Sequence, residues 1–242
     1  MSVYLIGFNA VSAIGWAVVL WLTLSVLASQ SGTPIWDSAT NDLSRTLLSL
    51  VAPWIPPSYS ASWWVVAPVQ SLAALEVFHV LFGLVRSPLL TTLLQVTSRL
   101  ILVWLIVARF PSTHLNPFYT TMVLAWSLTE VLRYTYYTLS LMSARVPHAL
   151  TWLRYTTFYV LYPLGAGSEA LVVLSTIPEW KHGQYVKWGL EDWLKAGQVL
   201  LWIPGNYCNS PCPHPLLTTS TRLVGHVYAH DADAAKGPRQ RK

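Results

Sequence analysis

The sequence predicts an all-α fold, a polytopic membrane bundle of six transmembrane helices, and three observations support this class. Hydrophobic residues make up 53% of the 242 residues and charged residues only 10%, against about 25% charged in a soluble domain. The mean hydropathy is +0.43. The chain has thirteen tryptophans and twelve tyrosines, residues whose amphipathic rings are enriched at membrane–water interfaces. The composition disfavours the alternative of a soluble protein with an apolar core.

Six apolar segments follow one another along the chain, and each predicts a helix. The first five reach the roughly 20 residues that cross the hydrocarbon of a bilayer, and the sixth is marginal. Polar residues interrupt the second to fifth segments, and these are the candidate functional positions. The segments are residues 8–28, 62–85, 89–110, 117–142 and 150–177, and a sixth that begins near 185 or 188.

The sixth segment is predicted to be truncated at Pro204. From Trp188 to Ile203 a helix would be about 24 Å long, short of the ~30 Å hydrocarbon core. Closely spaced prolines follow, which exclude a helix, and then a small, polar, charged stretch typical of disorder. We therefore predict a six-span domain over residues 1–205 and an atypical tail over residues 206–242.

The basic residues predict an orientation. Lysine and arginine in the connections favour placing both termini in the cytosol. The net charge is a modest +5, and most aromatic and basic residues lie inside apolar spans. A nucleic-acid partner is therefore not expected.

Two cysteines near the C-terminus form a weak metal pattern. Cys208, Cys212 and His214 have the spacing C-x3-C-x-H, but no fourth ligand is in view. Two near neighbours also make no disulfide framework. We expect no metal and no cofactor.

Tyr162 and Glu169 are the most informative pair in the chain. A carboxyl group at membrane depth is costly, so it is a functional hypothesis by default. Residues seven apart share one helix face and are separated by about 10 Å along the axis. One proline and two glycines lie in the stretch 163–167 and favour a kink there. We expect a distorted helix at 163–167 with both side chains facing one cavity.

The same face admits a structural interpretation. Tyr155, Tyr162, Glu169 and Thr176 repeat at intervals of seven, as in a hydrogen-bonded seam between membrane helices. Tyr155, beside Arg154, fits such an anchor near a membrane surface, although it is also kept as a candidate for substrate binding.

Two further pairs have the i,i+3 spacing that puts side chains on one helix face. Glu130 and Arg133 either neutralise each other or take part in binding substrate, and a paired arginine can do both. Glu76 and His79 form the second pair, for which a structural role is favoured over catalysis.

Arginines at the predicted cytosolic end have two interpretations. Arg86 and Arg99 are placed to meet an anionic head group, because guanidinium matches phosphate oxygens in a bidentate way. Anchoring at the cytosolic surface of the membrane is the alternative for either residue.

Several separated blocks, in order over about residues 4–205, together resemble one family. They are residues 83–92 with Gln95 and Arg99, residues 126–134, residues 153–155, residues 161–165 leading to Glu169, and an early Asn9 with Trp16. This pattern is similar to the very-long-chain (3R)-3-hydroxyacyl-CoA dehydratases, also called protein tyrosine phosphatase-like proteins. The Cys-x5-Arg loop of a phosphatase is absent, because His214 stands where the arginine would be.

The resemblance implies a six-span protein of the endoplasmic reticulum membrane with cytosolic termini. It implies loss of water from a long-chain 3-hydroxyacyl-CoA to give the trans-2-enoyl-CoA, the third step of fatty-acid elongation. The family's catalytic tyrosine and glutamate correspond to Tyr162 and Glu169. Implied partners are membrane lipid and the other enzymes of the cycle, namely elongase, ketoacyl-CoA reductase and enoyl-CoA reductase.

The chemistry of the pair agrees with this reaction. Elimination from a β-hydroxy thioester needs a base for the Cα proton and an acid for the departing hydroxyl. Ionised Glu169 is an acceptor and neutral Tyr162 a donor, and the reverse assignment stays open if Glu169 is protonated. We also predict that an arginine helps to hold the CoA phosphates, because several cluster towards the predicted cytosolic face: Arg86, Arg99, Arg133 and Arg154.

Two other functions remain as alternatives at this stage. One is a catalytically inactive membrane scaffold that binds acyl-CoA or elongation-cycle partners. The intact Tyr162 and Glu169 argue against a scaffold, while the departure from the family pattern after Pro204 argues for it. A small-solute transporter is suggested by buried acidic and basic residues, but the matched blocks disfavour it.

Overall fold

The computed structural model describes residues 2–29, 46–47, 54–85, 87–142, 146–177 and 189–207, and the regular structure in these ranges is helical. The all-α prediction is confirmed for this part of the chain. The helices are α1 (Ser2–Ser29), α2 (Tyr59–Leu72), α3 (Ala74–Leu81), α4 (Leu89–Leu100), α5 (Pro117–Leu141), α6 (His148–Thr156), α7 (Phe158–Leu174) and α8 (Leu190–Tyr207). A π-helical segment, Ile101–Val107, continues α4, and a 3-10 turn, Pro111–Thr113, follows it.

Three helical stretches are long and apolar enough to cross a membrane. They are Val3–Ser29, Tyr59–Leu81 and Leu89–Val107, and the bent pair α6–α7 would make a fourth. Helix α5 has the length, with 25 residues, but hydroxyls and charged groups interrupt its apolar character. The structure thus supports three or four of the six predicted spans by length and composition.

Helix α5 is the centre of the bundle. It packs most extensively against α1 and α7, and its buried side chains include Tyr119, Met122 and Trp126. Helix α1 also approaches α2 closely at Gly15, where a Cβ atom would lie 2.7 Å from Cγ2 of Val69. A larger residue at position 15 would force Val69 or a helix to shift, so glycine allows the close approach of α1 and α2 here.

Side-chain contacts define the two ends of the bundle and hence the directions of the helices. At one end, the hydroxyl of Tyr4 lies 3.0 Å from Nε2 of His79, and Arg154 donates to the Tyr137 hydroxyl over 3.0 Å. At the other end, which we call the far end, the amide nitrogen of Asn116 donates to the Ser175 hydroxyl over 3.0 Å. Thus α1, α4 and α6–α7 run towards the far end, and α2–α3 and α5 run away from it.

The predicted distortion at residues 163–167 is wrong in position. Helix α7 is continuous from Phe158 to Leu174 with Pro163 inside it. The bend, 43°, lies instead between His148–Thr156 and Tyr159–Leu174. Proline clashes with the carbonyl of the residue four positions earlier, which is Tyr159, so the strain is relieved on the N-terminal side of the ring. The glycines that follow keep helical geometry.

The predicted interruption at Pro204 is also wrong. Helix α8 runs from Leu190 to Tyr207 and passes through Pro204. A proline in the last turn removes one backbone hydrogen bond, and only three helical residues follow it. The atypical tail predicted for residues 206–242, with Cys208, Cys212 and His214, lies outside the described residues from position 208 onwards.

Candidate active site

A cavity of about 820 Å³ opens between α1, α2, α3, α4, α5, α6 and α7. Most of the side chains singled out in the sequence line it: Arg99, Glu130, Arg133, Arg154, Tyr162 and Glu169. Tyr155 is not among the lining residues, and Arg86 lies outside the described residues. The structure therefore brings six of the eight candidates to one site.

Glu169 is buried at the wall of this cavity and is held by an indole. It is 4% exposed, and its Oε1 accepts a hydrogen bond of 2.7 Å from Nε1 of Trp126. The guanidinium of Arg99 lies 5.0 Å from the centroid of the same indole ring. Because Trp126 is itself buried, the carboxyl group has a defined orientation towards the cavity.

Tyr162 lines the same cavity two turns earlier on α7. Its side chain is partly buried. Since the helix is continuous between the two positions, Tyr162 and Glu169 keep the shared face that the seven-residue spacing predicts, about 10 Å apart along the axis. A substrate in the cavity would meet a phenol nearer the bend and a carboxyl group nearer the far end.

Glu130 is the centre of a charged network that ties α3, α4 and α5 together. It is 3% exposed and accepts hydrogen bonds from Arg99 Nη1 and from Arg133 Nε, the latter over 2.6 Å. Arg133 donates two further bonds, of 3.1 and 2.8 Å, to Glu76. The hydroxyl of Tyr134 also donates to Glu76. Two carboxylates and two guanidiniums therefore balance one another inside the bundle.

This network changes the interpretation of both i,i+3 pairs that the sequence predicted. Glu130 and Arg133 do pair, but each has a second partner on another helix. Glu76 pairs with Arg133 rather than acting with His79. The ring of His79 contacts the Tyr4 hydroxyl and lies edge-on to Phe8, 4.7 Å between centroids, so it is held in an aromatic environment by α1.

Arg154 stands apart from this network. Its guanidinium lies over the rings of Tyr136 and Tyr137, at 4.4 and 4.7 Å, and Nη2 donates to the Tyr137 hydroxyl. Its Nη1 is buried without a hydrogen-bond partner among the described residues. Tyr155 lies beside the same guanidinium, at 5.8 Å. Arg154 therefore places a positive charge in the cavity wall, with one guanidinium nitrogen that no described residue engages.

Comparisons with known proteins identify a family for this chain. The sequence profile of the family described as "Protein tyrosine phosphatase-like protein, PTPLA" matches residues 70–210. The probable very-long-chain (3R)-3-hydroxyacyl-CoA dehydratase of Schizosaccharomyces pombe is 39% identical over 207 residues, 84% of this chain and 86% of that protein. The chain belongs to the very-long-chain (3R)-3-hydroxyacyl-CoA dehydratase family. The resemblance described from the sequence blocks is thereby confirmed.

Other members of the dehydratase family are similar over the same extent. The very-long-chain (3R)-3-hydroxyacyl-CoA dehydratase of Caenorhabditis elegans is 33% identical, over 84% of this chain and 83% of its own length. The dehydratase PASTICCINO 2A of Oryza sativa subsp. japonica is 31% identical, over 84% of this chain and 86% of its own. No solved structure matches the chain.

Sequence reasoning missed two residues of the dehydratase cavity. Trp126 lies in one of the matched blocks, and the signal was its indole N–H, which needs a partner when buried. Gln70 is a carboxamide inside the apolar run of α2 and also lines the cavity. An isolated amide in a membrane span is a signal of the same kind as an isolated carboxyl group, only weaker.

The charged network predicts a large stability effect at Glu130. Replacement by glutamine, Glu130→Gln, leaves the buried side of Arg99 without its carboxylate. Breaking a buried ion pair from one side costs about 3–5 kcal/mol, so thermal unfolding in detergent should shift to clearly lower temperature. The control is Arg109→Gln, because the Arg109 side chain is 62% exposed and meets Glu191, itself 46% exposed, only at 3.4 Å. Its effect should stay below about 1 kcal/mol. Equal unfolding temperatures for Glu130→Gln and wild type would contradict the role of the network.

Proposed function

We propose that this protein eliminates water from a long-chain (3R)-3-hydroxyacyl-CoA to give the trans-2-enoyl-CoA. The observation that carries the proposal is the placement of Tyr162 and Glu169 on one cavity wall in a chain of this family. The names of the relatives supply the substrate class. No observation favours the inactive scaffold, since both members of the proposed pair are present.

The reaction assigns a role to each group. Glu169 removes the Cα proton, a Cα=Cβ double bond forms, and the Cβ–O bond breaks while Tyr162 protonates the departing hydroxyl as water. The elimination is neutral in redox terms. Trp126 donates to one oxygen of Glu169 and so holds the carboxyl group in position, while the second oxygen remains to accept the proton. The same geometry would serve the reversed roles of acid and base.

Among the described arginines, Arg154 is the best candidate for binding a CoA phosphate. Its Nη1 is buried and unpartnered within the described part of the chain, whereas Arg99 and Arg133 are engaged by Glu130. We assign Arg99, Glu130 and Arg133 to holding the cavity wall in shape. Tyr155 supports Arg154, and Arg86 is kept as a second phosphate-binding candidate.

We also infer a six-span topology with both termini on the cytosolic face of the endoplasmic reticulum membrane. Helix α5, with 25 residues, and α8, with 18, are about 37 and 27 Å long. The cavity lies towards the end at which α1 begins, so its mouth would face the cytosol, where CoA esters are dissolved. The elongase, the ketoacyl-CoA reductase and the enoyl-CoA reductase of the same cycle, and the surrounding lipid, are the proposed partners.

Removing either member of the proposed pair should abolish turnover. Purified Tyr162→Phe and Glu169→Gln proteins should convert 3-hydroxyacyl-CoA at least about 10²-fold more slowly, because a positioned proton-transfer group contributes about 10²- to 10⁴-fold. Product formation is followed by mass spectrometry. The matched control is Tyr159→Phe on the same helix, since Tyr159 is 76% exposed and is not a lining residue. Turnover within a few-fold of wild type in either variant would remove that residue from the mechanism.

Loss of Arg154 should weaken substrate binding with little effect on kcat. A hydrogen bond to a charged group contributes about 1.5–3 kcal/mol, so Arg154→Ala should raise KM about 10-fold or more for CoA substrates. Arg109→Ala is the control, because the Arg109 side chain is 62% exposed and meets Glu191 outside the cavity. An unchanged KM for Arg154→Ala at both low and high salt would contradict the assignment.

The topology is testable in sealed microsomes. Epitope tags at both termini should be digested by added protease without detergent, because six spans return the chain to the starting side. Protection of one tag alone until detergent is added would contradict the six-span arrangement, and protection of both would contradict the cytosolic placement of the termini.

A further inference from the structure

Gln70 has no role in the mechanism above, although it is the most deeply buried carboxamide on the cavity wall. Its side chain is 1% exposed and lines the cavity. Its Nε2 atom has no hydrogen-bond partner among the described residues. Leaving a buried donor unsatisfied costs about 1–3 kcal/mol. A buried, unpartnered donor on a residue that lines a cavity points to an acceptor that a ligand supplies.

The register of the helices places Gln70 beside the proposed base. Helices α2–α3 and α5 run in the same direction, and the Ser62 hydroxyl meets the Tyr119 hydroxyl at 3.3 Å near the far end. At the opposite end Glu76 meets Arg133. Both contacts join residues 57 positions apart in sequence. The same register brings Gln70 level with residues 126 and 127, and Trp126 is the residue that donates to Glu169.

Other donors at this depth are already engaged. Trp126 Nε1 donates to Glu169, and Arg99 Nη1 donates to Glu130. Asn9, which lines the same part of the cavity, donates its amide hydrogen to the Leu5 carbonyl over 2.7 Å. Within the described residues, Gln70 Nε2 is thus the buried amide nitrogen on the cavity wall that makes no hydrogen bond.

The elimination creates an acceptor at this place. As the Cα proton moves to Glu169, the electrons of the Cα–H bond delocalise towards the thioester oxygen before the Cβ–O bond breaks. A fixed donor in a site shielded from water stabilises such developing negative charge and is worth about 10²- to 10³-fold in kcat. Tyr162 is assigned to the hydroxyl at Cβ, so the thioester oxygen still needs a donor.

We propose that the Gln70 side-chain amide donates a hydrogen bond to the thioester carbonyl oxygen of the substrate. The bond strengthens as negative charge develops, which makes Gln70 a catalytic residue of the electrostatic kind. This assignment rests on the proposed dehydratase function. It also accounts for an unsatisfied amide in the last turn of α2, within an apolar segment.

The first test is kinetic, with Gln70→Leu as the main variant. We expect kcat to fall about 10²-fold with KM changed little, and thermal stability to remain equal or rise because an unsatisfied buried donor is removed. Ser71→Ala is the matched control on the same helix, since Ser71 is not a lining residue. A turnover of the Gln70→Leu variant within about threefold of the wild-type value would overturn the proposal. An inactive wild-type protein would instead refute the dehydratase function itself.

The second test reads the hydrogen bond directly. Infrared difference spectra of bound trans-2-enoyl-CoA, labelled with ¹³C at the thioester carbonyl, should show the C=O stretch at lower frequency than in water. Gln70→Leu, or Gln70→Met if the leucine variant does not fold, should return it towards the value in a non-hydrogen-bonding solvent. A merely structural role would leave this frequency unchanged. An unshifted carbonyl in the wild-type complex overturns the proposal without any variant.

Discussion

The organisation of this membrane bundle depends on the buried carboxylate of Glu130. A charge in a bundle interior is tolerable only with partners, and Glu130 takes them from its own helix, Arg133, and from α4, Arg99. Arg133 carries the link on to Glu76 of α3. Three helices are thus held at one depth by charges that cancel. The cavity of the dehydratase exists between helices because this network fixes how far apart and in which register they stand.

The network also divides the polar groups of the cavity into two classes. Arg99 and Arg133 donate to carboxylates and shape the wall. Arg154 and Gln70 also line the cavity, and each has a buried nitrogen without a partner among the described residues. They lie at different depths, with Arg154 nearer the mouth and Gln70 level with the residue that holds Glu169. A molecule with an anionic head and a thioester further in matches this order of donors along the cavity.

The helical periodicity of the sequence predicted those features whose geometry is set within a single helix. Tyr162 and Glu169 share a face because α7 keeps helical geometry between them. The apolar composition predicted helices, of which three or four are long and apolar enough to cross a membrane. The position of the bend was missed because proline strains the turn before it, which moves the break to residue 157. Glu76 was paired with His79 because the spacing within one helix cannot show that Arg133, on another helix, is the nearer partner.

Taken by itself, the sequence determined an all-helical, membrane-type chain and a family, and it singled out a carboxyl–phenol pair as the candidate site. These properties follow from composition, from the period of 3.6 residues and from short matched blocks, all of which are local. Only the tertiary structure decided which arginines are engaged, which donors stay available, and that Gln70 stands at the depth of Glu169. Those facts depend on the register between helices, set by close contacts such as Gly15 against Val69 and by the charges around Glu130, and a register between segments distant in sequence leaves no local pattern.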